Sequence, residues 1–568
     1  MAYASDISSE PAMRISLPMF VGSLCLSLAS VAGASETRPQ VHTRTGIVQG
    51  VTDATAKVDV YKGIPYAKPP TGDLRWRPPA PAPAWKSVRD ARKFGHSCLQ
   101  PPYPPTSVYF GDMASPSEDC LTLNVWAPSG AKKLPVMVWI HGGGLLVGSS
   151  SEPLYDGVKM AQQGIVVVSI NYRLGLLGFF AHSALSAESE QRVSGNYGLL
   201  DQVEALRWVR DNVAEFGGDP SQVTIAGESA GGLSVVALLA SPLARDLFSR
   251  AIVQSAYMQS NRALREETLG LRSAEAEGEA LAKLAGASNA AALRAADPVK
   301  LFMAGLATKW GPEPVIDGVV LKRQLFETFA HDEQAKVPVI AGFNEGEIRS
   351  LLHFMPSEVP ATQAAYEVDV RRRFGTEADA YLAVYPGVNP REDVMASIRD
   401  GACDWTAQAL VRKQSEVGQP SYLYYFRHST PAQRARDLAA FHASELPYIF
   451  GQVVESAALG PNWPRAPLTS AESQLSDAML SYWVSFVREG VPAAANMPAW
   501  PRFTADERGY LDIDERPSAE RDLHPAAIAF ADKLIATRRQ QGRGWRLDIG
   551  FSAFSVDEPA AGRQPANP

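Results

Sequence analysis

Cysteine is scarce in this chain, with four among 568 residues. That excludes a disulfide-dense scaffold, and the His, Cys and carboxylate spacings offer no zinc site, so neither a metal nor a cofactor is expected. Long blocks of Lys and Arg are also missing, and the net charge is −7. Without a basic footprint no nucleic-acid partner is expected. No repeat of 20–50 residues is present, which removes the solenoid architectures. Nor is there an unbroken apolar run of membrane-spanning length. The nearest, residues 15–31, is short and interrupted by Pro18, Gly22 and several serines, so no stable membrane anchor is expected.

That run reads instead as part of a leader. Met13-Arg14 gives a short positive start, and Ala32-Gly33-Ala34 fits the small-x-small cleavage rule. The expectation is a signal peptide over 1–34 with the true start near Met13, a globular part over 35–550, and a disordered Pro/Ala/Gly-rich tail over 551–568. The mature protein would be secreted or periplasmic. Cys25 leaves with the leader. Cys98 and Cys120 are close in sequence and flank a Pro/Tyr/Ser-rich loop, which makes them the natural disulfide pair in an oxidising compartment. Cys403 is expected to pack as a small buried hydrophobe. Nothing in the sequence sets an oligomeric state.

What is present is an ordinary globular composition, 46% hydrophobic and 20% charged. Apolar, β-branched runs at 135–140, 165–170, 223–226, 251–253, 337–341 and 422–426 read as buried strands, and helix-like stretches such as 200–216 lie between them. Continuous apolar strands alternating with helices predict a mostly parallel sheet covered on both faces. In such sheets functional groups gather beyond the carboxyl ends of the strands. The residues found there are His141-Gly-Gly-Gly144, Gly227-Glu-Ser-Ala-Gly231, Gln254-Ser255 and Asn344-Glu-Gly-Glu347.

Gly227-x-Ser229-x-Gly231 follows a predicted strand and opens a predicted helix. This is the context of a nucleophile elbow, in which a sharp turn exposes a serine oxygen at a helix N-terminus. The glycine run fits an oxyanion hole, because backbone N–H groups are fixed donors for a developing O⁻. Gly143, Gly144 and Ala230 are assigned to it, whereas His141 is read as structural. No Gly-Lys-Ser/Thr follows, which argues against a phosphate loop. A base is needed late in the chain, after the acid. Of His353, His428, His442 and His524, His442 is best placed, at a predicted loop-to-helix junction after a strand. Glu347 and Glu345 both follow one strand, and spacing alone does not choose between them.

With these motifs in place, the sequence resembles the type B carboxylesterases of the cholinesterase and para-nitrobenzyl-esterase group. Besides the glycine run and the elbow, the matching stretches include residues 61–76, Glu118-Asp-Cys-Leu-Thr-Leu-Asn124, Asn171-Tyr-Arg-Leu-Gly175, 195–202 and Phe216-Gly-Gly-Asp-Pro220. The resemblance spans about 46–500. It implies a single α/β-hydrolase fold, with a mostly parallel central sheet, helices on both faces and large insertions around the active site. It implies cleavage of small-molecule carboxylic esters through an acyl-enzyme on Ser229, with His442 as base and Glu347, three residues after Asn344, as acid. It further implies a glutamate beside the nucleophile, Glu228, a buried serine near the triad, Ser255, and a Cys98–Cys120 disulfide. The sequence departs from the family pattern at Leu145, where Phe is usual, at Ala256, where Gly is usual, and at Gly346, where Asp is usual. No Trp lies between Cys98 and Cys120, which disfavours choline esters. A carbamate, amide or lactone substrate would use the same triad, and a non-catalytic binding protein could share the fold.

Overall fold

Seven strands lie parallel at the centre of an eleven-stranded sheet. In chain order the strands are β1 (Val51–Asp53), β2 (Val58–Pro65), β3 (Thr122–Pro128), β4 (Leu134–Ile140), β5 (Val166–Ile170), β6 (Gly218–Glu228), β7 (Arg250–Gln254), β8 (Val339–Asn344), β9 (Ser421–Phe426), β10 (Gly509–Ile513) and β11 (Ser518–Arg521). Across the sheet they run β11-β10-β9-β8-β7-β6-β4-β5-β3-β2-β1. From β5 to β10 each neighbour pairs in parallel, while β1, β2, β3 and β11 are joined antiparallel at the two margins. The computed structural model describes residues 38–546 apart from 112, 288, 309, 454–458 and 466. The expected signal peptide and tail lie outside the described residues.

Strand alternation feeds two cores. Val136, Val138 and Ile140 of β4 join one apolar cluster, and Met137 and Trp139 join the other. Helices Tyr197–Asn212, Ala230–Ala240, Trp405–Glu416 and Pro525–Gln540 supply the first, and the long helix Ser470–Glu489 supplies the second with Met479, Trp483 and Phe486. Burial on both faces is why these strands read as continuous apolar runs instead of alternating ones.

Several boundaries differ from the sequence reading, among them the run at 223–226, which belongs to a strand over Gly218–Glu228. The run at 337–341 enters the ladder only at Val339 and continues to Asn344. Pro338 has no N–H to give and only accepts, from Ala251 N–H at 3.0 Å. The helix-like stretch at 200–216 is a helix over Tyr197–Asn212 that tightens into a 3-10 turn over Val213–Phe216.

Cys98 and Cys120 are bridged across a sequence separation of 22 residues. By chain entropy such a closure contributes about 3 kcal/mol. Cys403 is buried and unbridged. No helix among the described residues is long and apolar enough to cross a membrane.

Candidate active site

β6 ends at Glu228 and a helix begins at Ala230, so Ser229 alone makes the turn. Its backbone sits at φ 58°, ψ −122°, a conformation that costs a residue with a Cβ roughly 1–3 kcal/mol. The Ser229 N–H donates to the Gln254 carbonyl at the end of β7, at 2.9 Å. Its flanking residues have to be small. A Cβ on Gly231 would lie 2.0 Å from the Ile140 carbonyl oxygen, and one on Gly227 would lie 2.5 Å from the Gly231 carbonyl carbon.

The glycine run follows β4 directly. Gly143 (φ 98°) and Gly144 (φ 64°) both occupy the left-handed region, and a Cβ on Gly143 would lie 2.1 Å from the Val147 oxygen. Among the described residues neither N–H is donated to a protein acceptor. Ala230, first in its helix, has no helical carbonyl behind it to bond. His141 is buried. Its Nδ1 lies 2.9 Å from the Gly142 carbonyl, and its ring stacks on Tyr172 at 4.6 Å. Burial pushes its pKa down to about 4, so it stays neutral. These contacts fit the structural part assigned to it from sequence.

His442 lies between two carboxylates. Its Nδ1 is hydrogen-bonded to Glu347 Oε2, and its Nε2 lies 3.0 Å from Glu228 Oε1, in ion-pair range but out of line for a hydrogen bond. Glu347 is fully buried, and its other oxygen accepts the Asn344 N–H at 2.8 Å. Glu345 is exposed. Burial alone would lower the pKa of His442, but Glu228 and Glu347 outweigh it and raise it above the ordinary value. Burial raises the carboxyl of Glu228 against the pull of His442. The other late histidines are engaged elsewhere or half-buried: His428 with Glu472 at 3.0 Å, His524 with Asp404 at 2.7 Å, and His353 against the Phe354 ring at 4.2 Å.

Ser255 is fully buried beside this group, at φ 46°, with its N–H on the Gly342 carbonyl at 2.8 Å. Its hydroxyl meets no partner among the described residues. Sequence reasoning assigned no role to Glu445. It is fully buried and accepts from Gln254 Nε2 at 2.9 Å and from Asn344 Nδ2 at 2.6 Å. Burial, reinforced by the charge of Glu228, pushes its pKa up to about 8. The residue types could not reveal this network, because its members come from two separate strand ends and the loop carrying His442. Away from the site, Asp400, Asp404 and His524 bring possible ligand atoms within 4.8 Å of one another. Their oxygens already take Arg399 at 2.7 Å, Tyr385 at 3.0 Å and Gln408 at 2.7 Å, and the guanidinium opposes a cation.

Over residues 37–531 the chain matches the model of the carboxylesterase family. The fumonisin B1 esterase of Sphingopyxis macrogoltabida is 37% identical over 519 residues, covering 89% of this chain and 91% of that protein. The para-nitrobenzyl esterase of Bacillus subtilis (strain 168) is 35% identical over 496 residues, covering 86% and 97%. A solved structure of a PNB esterase superposes with a TM-score of 0.75 at 32% identity, over 87% of this chain and 99% of that one. The chain belongs to the carboxylesterase family. As a carboxylesterase it is a hydrolase of small-molecule carboxylic esters on the α/β-hydrolase fold.

The departures from the family pattern acquire physical meaning here. A Cβ on Gly346, where this carboxylesterase lacks the usual Asp, would lie 2.7 Å from the Leu438 oxygen and 3.0 Å from the Ala440 oxygen. The glycine lets the loop carrying His442 pass close to the turn carrying Glu347. Leu145 is buried, with φ 59°, and its carbonyl accepts the Gly175 N–H at 2.7 Å.

Proposed function

We propose that this carboxylesterase acts by two-step acyl transfer on Ser229. Nε2 of His442 takes the Ser229 proton as Oγ attacks the ester carbonyl carbon, and the carbonyl π electrons move to oxygen. The N–H groups of Gly143, Gly144 and Ala230 hold that oxyanion. Collapse expels the alcohol, protonated by His442. Water then adds to the acyl-enzyme by the same route, releasing the acid and restoring the serine. Glu347 holds the imidazole through Nδ1 and stabilises the imidazolium. Nε2 rests 3.0 Å from Glu228 Oε1, and attack requires it to meet Ser229 Oγ instead. The observation that carries this reading is His442 held against Glu347 on one ring nitrogen, with the other turned to the strand end that bears Ser229.

The Cys98–Cys120 loop carries the aromatic rings of Tyr103 and Tyr109, with centroids 6.4 Å apart, and no Trp. Uncharged alcohols fit this better than choline. We also infer export to the cell exterior or periplasm, supported by the leader-like residues 1–34 and the Cys98–Cys120 bridge. One experiment tests both readings: fluorophosphonate labelling of the exported protein followed by peptide mass spectrometry. The probe is expected on Ser229 and the N-terminus near Ser35. A probe on another residue would overturn the nucleophile, and a retained leader would overturn the export reading.

A further inference from the structure

Three consecutive carbonyls of the loop carrying His442 each receive a donor from elsewhere in the chain. Ala440 O accepts the Gly346 N–H at 2.8 Å, and Phe441 O accepts Asn344 Nδ2 at 2.9 Å. Both donors belong to the end of β8 and the turn that carries Glu347. The third carbonyl, of His442 itself, accepts the Tyr109 hydroxyl at 2.9 Å. Tyr109 belongs to neither element. It lies in the loop closed by the Cys98–Cys120 bridge, and its oxygen is also 2.7 Å from Ser350 Oγ. Because the phenol proton goes to the His442 carbonyl, Ser350 is the donor in that second contact. Ser350 ends the 3-10 turn Glu347–Ser350, so one phenol oxygen ties the acid-bearing turn to the backbone of the base.

The peptide it holds has reason to move. Ala443, directly after His442, sits at φ 69°, a conformation that costs a residue with a Cβ roughly 1–2 kcal/mol. Rotation of the 442–443 peptide would relieve that strain and swing the His442 carbonyl away. The disulfide-closed loop is itself well seated. Val108 packs with Leu438, Phe441 and Trp463, and Asn462 Nδ2 donates to the Ser107 carbonyl at 2.9 Å.

We propose that Tyr109 is a positioning residue, which fixes the backbone of the base His442 against the acid-bearing turn and makes the Cys98–Cys120 loop part of the catalytic alignment. The proposal rests on the triad reading above. The bridge anchors the loop, the loop delivers the phenol, and the phenol holds the carbonyl. Tyr109 touches no reacting atom in this role. It acts on the angle at which Nδ1 meets Glu347, and misplacement on the scale of an ångström costs up to about a hundredfold in rate.

The test compares the parent with Tyr109→Phe, which keeps the ring and loses the hydroxyl, and with Ser350→Ala, which removes only the second contact. Kinetics with a small soluble ester are expected to show kcat lowered about tenfold in Tyr109→Phe, with KM little changed. The groups acting on the His442 ring are Glu228 from β6, Glu347 from the acid-bearing turn and His353 from the neighbouring turn. Looser contact with Glu347 stabilises the imidazolium less, so the acid limb of kcat/KM should move to lower pH. Mere loss of folded protein would scale the rate and leave that limb in place. Ser350→Ala should move both quantities in the same direction by less, and the double variant should resemble Tyr109→Phe alone. Exchanging Cys98 and Cys120 for Ser should reproduce the shift and add little to Tyr109→Phe. A Tyr109→Phe enzyme with the parent kcat and pH profile, or one altered only in KM, overturns the proposal. Fluorophosphonate labelling of Ser229 separates the two levels. If it fails in the parent, the triad reading falls with this one, whereas normal labelling with an unchanged Tyr109→Phe profile removes only the tether.

Discussion

Nε2 of His442 lies 3.0 Å from Oε1 of Glu228, the residue immediately before the proposed nucleophile. The proposed base is thus flanked by carboxylates on both ring nitrogens, and in the proposed mechanism the second of them competes with Ser229 for Nε2. Holding the imidazolium favours the protonated ring, while attack by Ser229 needs the neutral one.

The consequence is a pH effect of definite sign. The proposed mechanism requires neutral His442, and its pKa is raised by Glu228 and Glu347 against the opposing effect of burial. The acid limb of kcat/KM should therefore have its midpoint above the ordinary histidine value of about 6.5. Glu228→Gln removes one of the two stabilising charges and should move that midpoint down. The check is a pH–rate profile of both enzymes with one neutral ester. A midpoint that stays put or rises would show that Glu228 does not bear on the base.

The two glutamates after β8 should separate by a wide margin. Glu347 is fully buried against His442, whereas Glu345 is exposed. Glu347→Gln keeps the size but cannot stabilise the imidazolium, so kcat is expected to fall roughly a hundredfold or more, about 3 kcal/mol. Glu345→Gln should stay within about twofold of the parent, as surface changes usually do. Steady-state kinetics on the two folded variants decides it, and a crippled Glu345→Gln would reverse the assignment.

Backbone strain at the elbow gives a stability prediction that runs against the usual ranking. Glycine is ordinarily the less stable replacement by about 0.5–1 kcal/mol relative to alanine. At φ 58°, ψ −122° the order should invert, because only glycine occupies that region without strain. Ser229→Gly is expected to be more stable than Ser229→Ala by about 1 kcal/mol, both being catalytically dead. Thermal or urea unfolding of the pair measures it, and Ser229→Ala proving the more stable would mean the turn is not strained.

Much of this molecule was legible from residue order alone, for local reasons. Apolar runs of strand length between helical stretches specify a parallel sheet buried on both faces, and small residues around Ser229 are a steric requirement of the turn that any reader of the chain can see. The glycine run and the proximity of Cys98 to Cys120 are likewise short-range features. What only the folded chain decided involves groups that are far apart in sequence. Spacing left Glu345 and Glu347 level, and only the family resemblance favoured Glu347. The close passage of residues 438–441 over Gly346 is what buries one carboxylate against His442 and leaves the other in solvent. The bonds from Gln254 and Asn344 to Glu445, the approach of Glu228 to Nε2, and the reach of Tyr109 to the His442 carbonyl join residues separated by up to 333 positions. Periodicity and motif spacing carry no information about which loops meet above the sheet. That is fixed by the packing of both cores beneath them, and there the tertiary structure selects among side chains that the sequence leaves equivalent.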